Sequence, residues 1–373
     1  MADLILKLGY KLYVNTSFGP RYFKRELIKA STKYENGFHS NIKVLKYGFV
    51  NVTIIPYSLN NYGFIIWTDK QLGCFLIDPG NALPFQDYLV KNKLIPKLIL
   101  ITHKHHDHSY GLSYLIDLYP NVQVVGSAAD RLRSFTYLIE KEQEIINFQF
   151  SLKKEEQEPS LSIVGFLTPG HTIGHVIYSI NIDNTSIENN GEYGKYALYF
   201  TGDTIFLGSI GRMFECKPSV YFKSIQRFIE SLLELNCLIE NVYLFPAHEY
   251  SIVNLRFITE ILNFSNTKAI TKLDWCRNQR EIKEPTIPCQ ILEEFSYNPF
   301  LEIVMSDNTQ LLAKLNQKFN FNLNMPDVER ILMTYYLSKS QRKFLANIKP
   351  ELNLPERLFL EVRKMRDSVN FNE

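Results

Sequence analysis

Four histidines and one aspartate lie within six consecutive residues of the chain, in the segment "THKHHDHS" at 102–109. The spacing H-x-H-x-D-H, from residue 103 to residue 108, brings imidazole and carboxylate groups together, and these groups suit zinc, iron or manganese. A histidine-rich segment can also be a solvated loop that binds a metal weakly and by accident. The other histidines and the neighbouring elements decide between these two interpretations.

Three further segments carry potential metal ligands, each at or beside the end of a strand-like run. "TPGHTIGH" contains His171 and His175, "FTGDTIF" contains Asp203, and "FPAHEY" contains His248. Seven of the eight histidines therefore fall in three clusters, and only His39 lies elsewhere. Five histidines and two aspartates are more than one tetrahedral ion needs, and they are enough for two ions that share an aspartate. Two ions about 3.5–4 Å apart can polarise a carbonyl or phosphoryl oxygen, so the pattern predicts an active site.

The residues before the first cluster predict the element that positions it. Leu98, Ile99, Leu100 and Ile101 form a short apolar run with β-branched members, which is typical of a buried strand. In open α/β sheets, ligands bind beyond the carboxyl ends of the strands. The cluster begins where this strand should end, which favours a metal site over a solvated loop.

Similar apolar runs recur from Tyr47 onward, for example "FVNVTIIPY", "GCFLIDPG" and "YALYFTGD", with Gly, Asn, Asp and Pro between them. Helical segments such as "LPFQDYLVKN" and "SYGLSYLIDLY" alternate with them, which indicates a layered α/β domain. After about Ser251 the apolar residues take helical spacing. A mostly helical second domain is therefore predicted from about residue 255 to 373.

The composition excludes several classes of protein. The 373 residues suffice for one large or two moderate domains, and the net charge of +2 does not favour nucleic acid or an anionic membrane as partner. No apolar stretch approaches the roughly 18 residues that cross a bilayer. The five cysteines have no C-x-x-C spacing, which fits a reducing compartment, so we expect a cytoplasmic protein.

Residues 1–45 differ from the rest of the chain, with eight Lys and Arg against three Asp and Glu and no clear period. A transit peptide would be basic and poor in acidic residues, and Asp3 and Glu26 argue against one. Lys7 and Lys11 interrupt any apolar core that a signal peptide would need. We expect an N-terminal extension here, with mitochondrial or other organellar targeting as the alternative.

The motifs taken together resemble those of the metallo-β-lactamase superfamily and, within it, of the glyoxalase II (hydroxyacylglutathione hydrolase) family. H-x-H-x-D-H marks the superfamily, whereas "FTGDTIFLGSIGRMFE", "FPAHEYSIVNLRF" and "EPTIPCQILEEFSYNPF" are more specific. The resemblance covers residues 46–302 well and the last dozen residues weakly. It implies a four-layer αββα sandwich over 46–254, then a helical glutathione-binding domain over 255–373 with an insertion at about 303–352.

The resemblance also implies which residues bind two metal ions per chain. The first ion would be held by His103, His105 and His171, the second by Asp107, His108 and His248, and Asp203 would bridge them. Zinc is the expected metal, with iron and manganese as alternatives. Asp107 and Asp203 are the residues to which the resemblance gives a catalytic role. Of the remaining residues of these motifs, His106 is expected to be exposed or to contact a ligand, and His175 to be structural. Asp78 would either orient a ligand histidine or cap a turn.

Five residues are implied as substrate contacts: Arg212, Phe214, Tyr250, Arg363 and Arg366. Arg363 and Arg366 are three residues apart, so one face of a helix would present both to the glycine carboxylate of glutathione. Two positions depart from the family pattern. Phe214 stands where a tyrosine is common, which removes one hydroxyl, and Arg366 stands where lysine is usual, which keeps the charge and changes the geometry.

The implied activity is hydrolysis of the thioester of S-D-lactoylglutathione by a metal-bound hydroxide, with release of D-lactate and glutathione. The expected partner is this small molecule, with no nucleic acid and no membrane, and the chain is expected to be a monomer. One alternative is a mono-iron glutathione persulfide dioxygenase, a class that typically lacks the long helical tail. Another hydrolase of the superfamily, such as a nuclease, is the second alternative, and it should show a basic surface.

Overall fold

The structure is a computed structural model that describes residues 2–69, 73–146, 160–183, 194–262, 266–319 and 354–369. Its strands are β1 Lys43–Tyr47, β2 Val50–Tyr57, β3 Asn61–Thr68, β4 Gly73–Ile77, β5 Ile95–Leu100, β6 Gln123–Ser127, β7 Tyr137–Ile139, β8 Gln143–Ile146, β9 Ser160–Leu167, β10 Val176–Asp183, β11 Lys195–Gly202, β12 Ile205–Phe206, β13 Ser209–Ile210, β14 Val242–Pro246 and β15 Cys289–Gln290.

The helices are α1 Ala2–Asn15, α2 Phe18–Lys33, α3 Ala82–Lys91, α4 His106–Ser109, α5 Leu112–Leu118, α6 Pro218–Ser231, α7 Ser251–Arg256, α8 Thr267–Glu281, α9 Ile291–Tyr297, α10 Pro299–Asp307, α11 Thr309–Phe319 and α12 Leu354–Ser368. Of the insertion predicted at about 303–352, the part from 320 onward lies outside the described residues.

Two sheets form the centre of the fold. The first has seven strands in the chain order β1 to β7, antiparallel up to β4 and parallel from β4 to β7. The second has the order β15-β14-β11-β10-β9-β8 and is antiparallel except where β11 pairs with β14. Parallel pairs need crossover connections, and α3 supplies the one from β4 to β5 and α5 the one from β5 to β6.

Three buried apolar clusters separate four layers. The central core fills the space between the inner faces of the two sheets and includes Phe64, Phe200 and Phe245. A first outer core lies between the seven-stranded sheet and the helices on it. A second outer core lies between the six-stranded sheet and the helices from α6 onward. This is the predicted αββα order. Because each sheet is covered on both faces, β2 and β3 are buried on both sides, which explains their nearly continuous apolar sequences.

Apart from β15, the described residues after 250 are mainly helical, as predicted, and their helices pack on the second sheet. Phe300 on α10 and Phe359 on α12 are fully buried, and Phe359 packs edge-on against Phe222 of α6. These helices therefore share one continuous core with α6. The boundary predicted at residue 255 stays a prediction.

Residues 2–33, which lie in the predicted N-terminal extension, form the two helices α1 and α2. In α2, Phe23 and Ala30 are buried, and Phe23 belongs to the first outer core. Phe23, Leu27 and Ala30 have helical spacing, and this weak pattern is the sequence signal for α2. No helix among the described residues is long and apolar enough to cross a membrane.

Candidate metal centre

The four segments with potential ligands follow four strands whose ends meet at one edge of the sandwich. The histidine cluster follows β5 of the first sheet, and the other three segments follow β9, β11 and β14 of the second. Each strand is buried and therefore fixes the direction in which the loop after it leaves the sheet. The site is thus assembled from both sheets, beyond the carboxyl ends of their strands.

The structure brings all seven predicted ligands together. Three groups have ligand atoms within 4.8 Å of one another: His103, His105 and His171; His103, His108 and Asp203; and Asp107, His108 and His248. The first and third groups are the two triads that the resemblance implied, and the second links them through Asp203.

In the first triad the imidazole nitrogens point at one another. His105 Nδ1 lies 2.9 Å from His103 Nε2 and 3.0 Å from His171 Nε2. Three nitrogens that face one point in this way are suited to a shared ion. His105 would thus use Nδ1 as its ligand atom, and the other two histidines would use Nε2.

Asp203 lies between the two triads and turns one oxygen to each. Its Oδ2 lies 3.4 Å from His171 Nε2, whereas its Oδ1 lies 3.2 Å from His248 Nε2 and 3.5 Å from His108 Nε2. This placement is the one that a bridging carboxylate requires.

Two buried polar atoms of the centre indicate whether its residues suit a metal ion. His108 Nε2 and Asp203 Oδ1 are buried and have no hydrogen-bond partner among the described residues. Leaving buried polar atoms unpaired is costly, and a bound cation would satisfy both. The residues present therefore fit metal binding at this centre.

Asp78 fixes the orientation of His108. Its Oδ2 accepts hydrogen bonds from His108 Nδ1 at 2.9 Å and from Thr102 Oγ1 at 2.7 Å, so Nε2 is left to face the centre. Of the two roles expected for Asp78, the structure shows the orienting one. Burial alone would lower the pKa of His108, but the carboxylates around it outweigh burial and raise the pKa. A metal ion must therefore displace a proton from this imidazole.

Other ligand histidines are also held through the nitrogen that does not face the centre. His171 Nδ1 donates to the carbonyl oxygen of Arg212 at 2.9 Å, and His248 Nδ1 lies 2.9 Å from Asn60 Oδ1. Such contacts set the tautomer and the ring orientation of a metal-binding histidine.

The protonation of the remaining ligands suits a cation. Burial lowers the pKa of His103, His105 and His171, which favours their neutral, ligating form. Burial acts to raise the pKa of Asp107 and Asp203, but the surrounding histidines outweigh it and lower both values. Both carboxylates are therefore ionised.

The two remaining histidines of the motifs lie beside the ligands and are not in the ligand groups. His175 Nε2 accepts a hydrogen bond from the backbone N–H of Asp203, and its Nδ1 lies 2.9 Å from Thr204 Oγ1. This histidine holds the loop that carries Asp203. His106 is half-buried and packs edge-on against Tyr13 of α1.

A cavity of about 750 Å³ opens over the centre, and all five predicted substrate contacts line it. This volume is in the range of small-molecule sites. Tyr250 is half-buried and stacks on His248, with ring centroids 4.8 Å apart. Burial raises the pKa of Tyr250 well above its ordinary value, so it presents a hydroxyl.

Three arginines from two separated parts of the chain form a basic patch in this cavity, which we call the arginine cluster: Arg212, Arg363 and Arg366. Asp367 Oδ1 accepts from Arg363 Nη2 at 2.7 Å and from Arg212 Nε at 2.9 Å. Arg366 Nε donates to Asn254 Oδ1 at 3.0 Å. These contacts order the guanidinium groups while leaving other N–H groups for a substrate carboxylate.

Sequence reasoning missed four residues that contact the ligands. Asn60 and Asn61 lie at the start of β3, and Asn61 Nδ2 donates to Asp107 Oδ2 at 3.0 Å. Tyr10 and Tyr13 come from α1 and also contact ligands. The spacing of the two tyrosines, three residues apart on one helix, is the only signal in the sequence that they share a face.

Two family models match the chain. One, described as "Hydroxyacylglutathione hydrolase C-terminus", matches residues 249–369. The other, described as "Metallo-beta-lactamase superfamily", matches residues 60–187.

Curated relatives align over most of their own length. A hydroxyacylglutathione hydrolase of Actinobacillus pleuropneumoniae serotype 5b is 30% identical over 273 residues, which are 73% of this chain and 100% of the relative. One of Salmonella paratyphi C is 29% identical over 277 residues, 72% of this chain and 92% of the relative. Among solved structures, BLEG-1 B3 metallo-β-lactamase has a TM-score of 0.40 at 19% identity, over 70% of this chain and 99% of that one.

Proposed function

The chain belongs to the hydroxyacylglutathione hydrolase family, and from this premise we propose that it hydrolyses the thioester of S-D-lactoylglutathione to D-lactate and glutathione. Its fold is the predicted metallo-β-lactamase sandwich, followed by a helical region. The chain is thus a thioester hydrolase. The observation that carries the proposal for this site is the placement of Asp203, with one oxygen toward each of two ligand triads.

Two divalent cations would be held by the two triads and by Asp203. Zinc is the metal that we expect. When bound, such ions supply a hydroxide nucleophile at neutral pH and polarise the thioester carbonyl. The protein's part is to hold the orientation of the ligands through partners such as Asp78.

The residues around the cavity are suited to bind the glutathione part of the substrate. The arginine cluster offers guanidinium groups for a carboxylate, and Tyr250 offers a hydroxyl close to His248. Phe214 lies with its ring 5.2 Å from that of His171 and contributes apolar surface. The leaving group is a thiolate. Because the pKa of its thiol is about 8.5, it can leave without a dedicated general acid.

The test is hydrolysis of S-D-lactoylglutathione by the purified protein, with the metal content measured on the same sample. We expect about two ions per chain and turnover that stops when a chelator removes them. The variant Arg363→Ala/Arg366→Ala should lose activity mainly through a raised KM, because it removes binding that substrate and transition state share.

Two results would contradict the proposal. A metal-loaded protein that leaves the thioester intact and consumes oxygen with glutathione persulfide would be a dioxygenase. Unchanged KM in the double variant would contradict the proposed substrate contacts, because it would remove Arg363 and Arg366 from substrate binding while leaving the hydrolase activity in place.

A further inference from the structure

Helix α1 lies against the metal centre, although it is outside both regions that the family models match, 60–187 and 249–369. Gly9, Tyr10 and Tyr13 line the same cavity as the metal ligands. Tyr10 and Tyr13 are three residues apart, so one face of α1 presents both side chains to the centre.

Tyr10 contacts the nitrogen of His105 that does not face the first triad. The Tyr10 hydroxyl oxygen lies 3.1 Å from His105 Nε2 and donates to Glu215 Oε1 at 2.8 Å. When His105 uses Nδ1 toward an ion, Nε2 carries the proton and donates it to the Tyr10 oxygen. The result is a hydrogen-bonded chain from ligand to tyrosine to carboxylate, the kind of contact that orients metal-binding histidines.

Glu215 is itself anchored to both loops that supply the first triad. Its carboxylate accepts a hydrogen bond from Nζ of Lys104, the residue between His103 and His105 in the chain. It also accepts one from the backbone N–H of Ile173, in the loop of His171, at 2.8 Å. Tyr10 therefore contacts a carboxylate that is already fixed, and it joins α1 to the loops that carry His105 and His171.

Tyr13 makes the corresponding contact in the second triad. Its hydroxyl donates to Asp107 Oδ1 at 3.3 Å, while Asn61 Nδ2 donates to Asp107 Oδ2. Both carboxylate oxygens of this ligand are thus oriented from outside, one of them by α1. One ligand of each triad has a tyrosine of α1 as its partner.

The packing of α1 on the centre is specific. The Tyr10 ring is stacked on Phe214 with centroids 4.6 Å apart and planes 5° from parallel. Phe214 stands at a position where a tyrosine is common in the family that the chain resembles, and Tyr10 brings a hydroxyl to this region. At Gly19, in α2, an added Cβ would lie 2.4 Å from the His106 ring, which shows how closely the helix pair approaches the histidine cluster.

We propose that α1 positions the metal ligands: Tyr10 orients His105 of the first triad, and Tyr13 orients Asp107 of the second. This inference rests on the proposed function, because it assumes that the two triads hold metal ions. Neither tyrosine reacts with the substrate; each acts through a ligand.

The experiment measures metal affinity in Tyr10→Phe and Tyr13→Phe by competition with a chromogenic zinc chelator. Phenylalanine keeps the ring and its packing and removes only the hydroxyl. Loss of such a partner typically weakens metal binding about 10–100-fold. We expect each variant to lose affinity for one of the two zinc ions and to keep the other, with unchanged thermal unfolding of the metal-free protein. Tyr114→Phe, at an exposed tyrosine of α5, is the matched control and should bind both ions as the unaltered chain does.

The inference would be overturned if the two variants bound both zinc ions with the same affinities as the unaltered chain. Equal loss of both ions together with lower thermal stability would overturn it as well, because that pattern indicates general loosening of the fold. If the unaltered chain binds no zinc and does not hydrolyse the thioester, the proposed function fails, and this inference fails with it.

Discussion

At the scale of single residues, the centre depends on Asp203, which turns one oxygen toward His171 and the other toward His248. Its backbone N–H donates to His175 Nε2, so the loop is held from behind. A carboxamide in this place has the same size but only one oxygen and no charge, and it cannot bridge two cations.

We therefore expect Asp203→Asn to lose more affinity for metal than the ~10–100-fold typical of a residue that only orients a ligand. Thioester hydrolysis should fall in parallel. Metal analysis after dialysis and steady-state kinetics measure the two effects. Asp117→Asn, at an exposed position of α5, is the matched control. An Asp203→Asn protein that retains two ions would contradict the bridging role.

The two carboxylate oxygens of Asp78 accept three hydrogen bonds, one from His108 Nδ1 and two from the backbone N–H and the hydroxyl of Thr102. The Asp78 φ of 48° is one that asparagine also tolerates, so Asp78→Asn should keep the backbone. The substitution removes one acceptor and the charge. We expect affinity for one ion, the one held by His108, to fall about 10–100-fold. Chelator competition measures this, and an unchanged affinity for both ions would show that His108 is oriented without Asp78.

At the scale of elements, Glu294 of α9 joins the C-terminal helices to the turn between β12 and β13. Its Oε2 accepts from the backbone N–H of Gly208 at 2.9 Å and from Asn298 Nδ2 at 2.8 Å. Burial raises the pKa of the Glu294 carboxyl to about 7, although these hydrogen bonds act in the opposite direction.

This raised pKa predicts a pH-dependent stability. Because the folded state binds the proton more tightly than the unfolded state, the free energy of unfolding falls as pH rises from ~4.5 to ~7 and then levels off. Glu294→Gln is neutral throughout and should lack this component. The stability of the variant relative to the unaltered chain should therefore rise between pH 5 and pH 8, by at most about 3 kcal/mol. Denaturant midpoints at four pH values measure the difference, and a difference independent of pH would contradict it.

Helix α2 is attached to the sandwich chiefly through Phe23, which is fully buried in the first outer core. Phe23→Ala should cost about 3–5 kcal/mol in unfolding free energy, the usual cost of truncating a buried phenylalanine. Phe18→Ala in the same helix is the matched control, because Phe18 is 48% exposed, and it should change stability by less than about 0.5 kcal/mol. Urea denaturation compares the two variants. Equal costs would mean that α2 does not pack as the structure has it.

The contrast between β5 and α1 shows how far the sequence alone predicts this molecule. The apolar run before the histidine cluster predicts β5, because a buried strand and its loop are local in the chain. Asp203 lies 100 residues from His103; the ligand types suggested a shared site, but only the resemblance gave Asp203 the bridging position. Tyr10 and Tyr13 were missed, because their contacts with His105 and Asp107 depend on how α1 packs against the sandwich and leave no local pattern.

At the scale of the whole molecule, the centre joins the two sheets. The histidine cluster follows β5 of the first sheet, whereas His171, Asp203 and His248 follow strands of the second. Metal ions bound by both sets of ligands, as proposed, would connect the sheets at this edge, beyond the end of the central core. Without ions, buried atoms such as His108 Nε2 have no hydrogen-bond partner among the described residues.

Metal binding should therefore stabilise the entire fold as well as the site. An ion that binds only the folded chain adds a free energy of RT ln(1 + [ion]/Kd), which is about 4 kcal/mol at a thousandfold excess over Kd. We expect the melting temperature to rise with zinc and to fall when a chelator is added. In Asp203→Asn, which cannot link the triads, the zinc-dependent part of this rise should be much smaller. Identical melting with zinc and with chelator would contradict this view, because ions bound by both sheets cannot leave without cost to the folded state.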